Sequence, residues 1–417
     1  MRVLVIGGGI GGLTTALALQ AAGLEVEVHE GAGEVRPLGV GINLQPHAVR
    51  ELTELGLGAA LAAIGVATRE LVYASRFGQV IWREDRGRAA GYHWPQYSIH
   101  RGRLQLLLWQ AAEARLGAAR VRSGHRLAGF TQDAGGVTAH FADGSLARGD
   151  LLIAADGIHS VVRRHFAPEE GPPKWNGAIL WRATSEAPAY LTGASMVQAG
   201  SHDQKFVVYP IAELPDGRRL TNWIAELRFP ADRPWAREDW NRPGRLADVL
   251  PAFERWDFGW LDVPGLMRRA EAVYEFPMVD RDPLERWTEG RVTLLGDAAH
   301  PMYPIGSNGA SQAILDARRL AWHLAGKPWD AALAAYEAER RPATAALVAA
   351  NRGLGPDLVL ELVHQRAPEG FTALHDVISQ AELEGTASAY KTLAGFDPSL
   401  LNARESWSVT PGPRPAA

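Results

Sequence analysis

Two glycine-bearing stretches hold residue types and spacings suited to chemistry. The first is Gly7-x-Gly9-x-x-Gly12, which follows an apolar run at 2–6 and opens a helical pattern over 13–22. Glycines at this spacing permit a tight turn, let backbone approach a pyrophosphate, and bring the helix close to a sheet. The helix N-terminus then faces the phosphate charge. A second strand pattern, 25–30, ends on Glu30, 18 residues after Gly12. A carboxylate there accepts hydrogen bonds from ribose hydroxyls. It favours an adenosine with a free 2′-hydroxyl, that of NAD or FAD, over NADP.

The second stretch, residues 294–317, reads LLGDAAHPMYPIGSNGASQAILDA. An apolar strand runs into Gly296-Asp297, and a loop rich in Pro, Gly and Ser follows. Ala310, Ala313, Ile314, Ala317, Leu320, Ala321 and Leu324 then mark one stripe of a helix that stops at Gly326-Lys327-Pro328. Ser307 or Asn308 is the natural cap, so the first-turn NH groups point back at the loop. The third glycine of a dinucleotide fingerprint is missing, and no βαβ unit follows. The stretch therefore completes the first site and does not build a second. Asp297 suits hydrogen bonds from a polyol such as a ribityl chain, and the helix N-terminus suits negative charge on a reduced flavin ring. NAD has no ribityl chain, so the two stretches together point to FAD.

Smaller signals stay open at this level. Asp156-Gly157 opens a short helix with Ser160 and Arg163 three apart on one face, which on its own reads as a capped helix start. Arg101 heads a helix over 103–116 and suits either a phosphate or a solvated helix start. Gly39 and Gly41, in VRPLGVGINLQP, let the backbone come close to something flat. Tryptophans at 175, 181, 223, 235, 240, 256 and 260 fit a core and interface, or a flat apolar pocket for a ring.

The elements that must position these residues read as α/β. A strand–glycine loop–helix–strand unit opens the chain, helices are predicted over 47–63 and 103–116, and 126–148 reads as a β-meander ahead of a buried strand at 151–155. From 175 to 280 alternating runs predict an inserted, mostly antiparallel sheet, with a helix near 244–257 and a strand at 272–276. The chain returns to nucleotide-fold texture at 291–295. This divides it into a discontinuous nucleotide domain (1–174 and 281–350), a substrate domain (175–280), and a C-terminal helical segment and tail (351–417), of which TPGPRPAA reads as a loose end. The 417 residues carry a net charge of −4, 22% charged residues and no cysteine, which gives no basic field for nucleic acid and excludes disulfide and zinc–thiolate chemistry. The 13 histidines are scattered without HExxH or i, i+4 pairing, so no metal site is expected. No apolar run approaches the ~18 residues of a membrane span. A strand starting at Arg2 leaves no room for a signal peptide, and a cytoplasmic location is expected.

Gly7-x-Gly9-x-x-Gly12, Asp156-Gly157 with Ser160 and Arg163, and Gly296-Asp297 occur in the order seen in single-component (group A) FAD-dependent aromatic hydroxylases, and the chain resembles that group over roughly 1–350. VRPLGVGINLQP, PQYSIHRG, FPMVDRDPL and GDAAHPMYPIGSNGASQAILD are most similar to phenazine monooxygenases of the pyocyanin-forming kind. The resemblance implies a Rossmann-like FAD-binding domain of glutathione-reductase type carrying the β-meander, plus the inserted substrate domain and C-terminal helices. It implies bound FAD, transient NADH or NADPH, and O2 as co-substrate. The implied reaction is hydroxylation of an aromatic or heteroaromatic ring, with or without decarboxylation, through a flavin C4a-hydroperoxide. A flavin dehydrogenase or reductase without oxygen transfer is the alternative, and a redox-responsive binding module stands third. Carried over, FAD is expected on Gly7, Gly9, Ile10, Gly12, Glu30, Gly31, Arg36, Gly41, Ile42, Arg101, Leu127, Gly296 and Asp297. Gly306, Ser307, Asn308 and Gly309 are expected beside the pyrimidine edge, where many relatives have Gly-Gln-Gly. Asp156, Gly157 and Arg163 are expected to support FAD and the nicotinamide encounter. Ring-facing candidates are Trp181, Tyr209, Trp223, Met302, Pro304 and Ile305. Arg182 is read either as a substrate-carboxylate anchor or as one half of a surface ion pair. A small aromatic substrate, no nucleic-acid partner, and a monomer or homodimer complete the expectation.

Overall fold

The structure, a computed structural model, describes residues 1–37, 39–230, 232–233, 235 and 242–409. Trp240 and the 410–417 tail lie outside the described residues. A six-stranded sheet runs in the order Thr288–Glu289, Val292–Leu294, Leu151–Ala154, Arg2–Ile6, Glu25–His29 and Val121–Arg122. All its pairings are parallel except the first. Val3, Leu4, Val5, Leu151, Leu152 and Ile153 are fully buried, as expected of strands covered on both faces. The helix Ile10–Ala21 follows the glycine loop, and the helix Gly309–Gly326 packs against it. The meander Leu127–Asp133, Gly136–Phe141 and Leu146–Gly149 forms a separate three-stranded sheet.

The second large sheet has seven strands, ordered Val273–Asp280, Lys174–Ala187, Arg219–Arg228, Gln204–Glu213, Ser195–Gly200, Glu70–Ala74 and Val80–Asp85. It thus draws two strands from chain well before residue 175, the first of them parallel to Ser195–Gly200. Its two faces divide the aromatic residues. Trp181, Trp223, Phe206 and Val208 share one face with the helices Leu246–Phe253 and Val263–Arg268. Leu180, Arg182, Tyr209 and Ile224 have the opposite parity and turn towards the nucleotide sheet. The predicted helix over 47–63 is two helices, Pro46–Glu54 and Gly58–Ile64, broken where Gly56 takes φ +81°.

Candidate active site

The glycine loop shows why Gly7 and Gly12 admit no side chain. Gly7 has φ +106°, and a Cβ there would collide with the Ala155 carbonyl; a Cβ on Gly12 would collide with the Gly7 carbonyl. Gly9 has open space around its would-be Cβ and caps its helix without a side-chain hydrogen bond. The loop and helix start therefore face a cavity of about 450 Å³, bordered by Gly7, Gly9, Glu30, Gly31, Arg36 and Leu127. Both oxygens of Glu30 accept backbone bonds, from Gly8 N at 2.6 Å and Ala32 N at 2.7 Å. Arg36 is exposed and pairs with Glu34 at 2.7 Å.

This cavity adjoins a second of about 290 Å³ through Gly9, Arg101, Gly157 and Arg182. Ile10, Gly41, Ile42, Gly296, Asp297, Ser307, Asn308 and Gly309 border the second cavity. Residues expected at the two ends of one dinucleotide, though not Gly12, therefore line one continuous space, in a size range suited to a cofactor. Asp297, in the short 3-10 turn Gly296–Ala298, is exposed to solvent and borders both this cavity and the apolar one beyond it. Enclosure by protein pushes its carboxyl above the usual range, opposed by His300 and Arg101. Arg101 is pulled down by burial, with Asp297 and Glu30 opposing. Asp156 is pushed up by burial; its Oδ2 accepts from Val161 N at 2.8 Å, and its buried Oδ1 has no hydrogen-bond partner. An acid ready for a polyol, a glycine loop that admits no Cβ at Gly7 or Gly12, a buried cation and an orphaned carboxylate oxygen together fit FAD.

A third, apolar cavity of about 100 Å³ continues from the second and is walled by Leu180, Phe276, Met278, Pro301, Met302 and Pro304. Arg182 reaches all three cavities. It is 8% exposed, and among the described residues it pairs with no carboxylate, which removes the surface-ion-pair reading. Its NH2 donates to Gly41 O at 2.7 Å, and Tyr209 Oη donates to the same oxygen at 2.9 Å. Gly41 N donates to Asn222 at 2.7 Å, so the close approach foreseen for Gly41 is partly to the large sheet itself. Tyr209 is held up at about 12 by burial, with Arg182 opposing.

Several expected contacts are not made. Trp181 and Trp223 are 1% and 0% exposed on the far sheet face, because side chains alternate along a strand and Arg182 takes the cavity side. Ile305 turns away to pack with Leu180, Phe276 and Tyr303. Gly306, with φ +72°, faces Tyr390 in a small recess behind the loop, so only Ser307, Asn308 and Gly309 of that quartet border the main cavity. Arg163 reaches neither cavity; its guanidinium bonds Glu170 and the carbonyls of Asp282, Ala298 and Ala299. Sequence reasoning missed Gln105, which donates to Gly8 O at 2.8 Å, and the apolar wall from Val273–Asp280. It also missed Asp316, fully buried, which accepts from Gly296 N at 3.1 Å, His300 at 2.5 Å and Arg340 at 2.7 Å. Its signal was present: an acid inside the apolar stripe of its helix.

Among the described residues there is no grouping of three metal-ligating side chains and no helix long and apolar enough to cross a membrane. Residues 1–351 match the FAD binding domain family. The chain is 49% identical over 362 residues to phenazine 1,6-dicarboxylic acid hydroxylase of Lysobacter antibioticus, covering 84% of this chain and 89% of that protein. It is 32% identical to 3-hydroxybenzoate 6-hydroxylase of Klebsiella oxytoca, covering 85% and 88%. The crystal structure of Klebsiella pneumoniae HpxO complexed with FAD and uric acid superposes with a TM-score of 0.75 at 26% identity, covering 95% and 96%.

Proposed function

We propose, the chain being a member of the FAD binding domain family and an FAD-dependent aromatic monooxygenase, that the ring it hydroxylates is a carboxylated phenazine. The observation that carries this reading is Arg182, a buried cation with no acid partner among the described residues, at the junction of the cofactor space and the apolar cavity. A buried guanidinium without a counter-ion is costly, and a substrate carboxylate relieves that cost. The 49% identity to a hydroxylase of a phenazine dicarboxylate supports the same choice.

FAD, when bound, supplies the activation and transfer of oxygen, with NADH or NADPH as reductant. The chain supplies the rest. Asp297 would accept from the ribityl chain, and the N-terminus of Gly309–Gly326 would stabilise negative charge on the flavin ring. Leu180, Phe276, Met278, Met302 and Pro304 take the ring and exclude water, while Arg182 fixes its orientation. A cytoplasmic location goes with the reading, since NAD(P)H is regenerated there, as does a monomer or homodimer.

The test is NAD(P)H oxidation stimulated by phenazine-1-carboxylate, phenazine-1,6-dicarboxylate, unsubstituted phenazine and 3-hydroxybenzoate, with product mass under isotopic O2 and released CO2. A hydroxylated product from a carboxylated phenazine carrying one labelled oxygen is expected, and CO2 separates simple from decarboxylative hydroxylation. Arg182→Met should raise KM for the carboxylate by about 10- to 100-fold, from one lost charge-assisted bond, and leave FAD content unchanged. Equal turnover of unsubstituted phenazine, or hydroxylation of hydroxybenzoate alone, overturns the reading.

A further inference from the structure

Tyr390 stands on the helix Gln380–Leu393, in chain that follows the family-matched residues 1–351. Its buried hydroxyl lies behind the loop that borders the cofactor space. The hydroxyl proton is shared between Asn351 Oδ1 at 3.1 Å and the Ile305 carbonyl at 3.4 Å. Asn351 Nδ2 donates in turn to Tyr303 O at 3.1 Å. One tyrosine–asparagine bridge therefore holds two carbonyls of the loop. Met302 and Pro304 of the same stretch wall the apolar cavity, while Ser307, Asn308 and Gly309 border the cofactor space. The bridge is itself anchored. Gln312 Nε2, on the helix Gly309–Gly326, donates to Ala394 O at 3.1 Å. Lys205, on the large sheet, donates to Asp357 at 2.7 Å and meets Glu226 at 3.1 Å, which ties the turn Gly355–Asp357 to that sheet.

We infer that Tyr390 is a positioning residue for the flavin ring, acting through the loop 303–307. It borders neither the cofactor space nor the apolar cavity. The loop needs such support because two successive residues lie in the left-handed region, Gly306 at φ +72° and Ser307 at φ +51°. A residue with a side chain persists there only where its surroundings hold it. Tyr390 supplies that hold, and a Cβ on Gly306 would collide with its ring and hydroxyl. The N–H groups after Ser307 and the N-terminus of Gly309–Gly326 stabilise charge on a reduced flavin only at the distance this loop sets.

The test measures the reduction potential of bound FAD against a reference dye. It needs no ring substrate, so its outcome is independent of the phenazine reading and rests only on bound FAD. Tyr390→Phe keeps the ring and removes the bridge. It should shift the equilibrium of bound FAD by about three- to tenfold towards the oxidised form, from one lost hydrogen bond. Asn351→Ala should shift it the same way, and carries the test where Tyr390→Phe does not fold. The double variant should fall short of the two shifts combined, since both break one bridge. Tyr92→Phe is the control. Its hydroxyl donates to Phe396 O at 2.5 Å, holding the same C-terminal segment without reaching the loop. That variant should lose thermal stability and keep the wild-type potential. A wild-type potential in folded Tyr390→Phe or Asn351→Ala, or a shift towards the reduced form, overturns the inference. So do fully additive shifts, or an equal shift in Tyr92→Phe, which marks a general loosening of the segment.

Discussion

Asp297 is held between opposing demands at the scale of a single residue. Protein encloses it and pushes its carboxyl up, while His300 and Arg101 pull it down. Ribityl hydroxyls donating to the ionised form lower its pKa on binding, so FAD binding releases a proton wherever the free carboxyl is still protonated. Affinity for FAD should therefore rise with pH across the titration of the apoprotein carboxyl and level off above it. Asp297→Asn should abolish that slope, and Asp297→Ala should weaken binding by about 10- to 100-fold at neutral pH, from charge-assisted bonds worth about 1.5–3 kcal/mol. Isothermal titration in buffers of different ionisation enthalpy measures both the slope and the proton. Asp297 was legible from sequence because an acid ending a strand before a loop is a local pattern. Trp181 and Trp223 were misjudged because parity tells which residues share a sheet face, but not which face meets the cavity.

The same limit recurs at the scale of elements. The glycine loop, its helix, the meander and the helix from Gly309 were readable because each is specified by its own neighbours in sequence. The strands Glu70–Ala74 and Val80–Asp85 join the large sheet through a parallel pairing with Ser195–Gly200, more than a hundred residues away, and no local periodicity records that. Asp316 gives the helix Gly309–Gly326 a second task beyond packing. Burial pushes this carboxyl up, but His300 and Arg340 outweigh burial and hold it at about 2. A depressed acid contributes stability that is complete above its unfolded pKa and is lost as pH falls towards its folded one. Asp316→Asn leaves Arg340 buried without its counter-charge and should cost about 3 kcal/mol. Urea midpoints should show that deficit shrinking as pH falls below about 4.

Over the whole molecule, the cavity walls come from residues 6 to 313, so the site exists only when distant parts of the chain are locked together. Part of the lock lies outside the cavities. Arg50 donates to Leu401 O at 2.9 Å and Arg404 O at 2.7 Å, and Arg404 pairs with the fully buried Glu51. Arg318 meets Glu51 at 3.0 Å and Ser408 at 3.0 Å, and Trp407 lies under the guanidinium groups of Arg404 and Arg319. Residues 401–408 therefore strap Pro46–Glu54 to Gly309–Gly326, the second of which begins at the cofactor space. Removing the Trp407 ring takes away two cation–π contacts and their apolar cover, about 1–2 kcal/mol, or about 1–2 °C in Tm. FAD at a hundred times its Kd adds about 2.7 kcal/mol to any form that binds it normally. Trp407→Ala should thus lower the Tm of apoprotein and holoenzyme equally, leaving the FAD increment intact. Asp297→Ala should do the reverse, sparing the apoprotein and shrinking the increment. Scanning calorimetry of both variants with and without FAD separates the strap from the site, and a lost FAD increment in Trp407→Ala would show that the strap shapes the cavity as well as closing the fold.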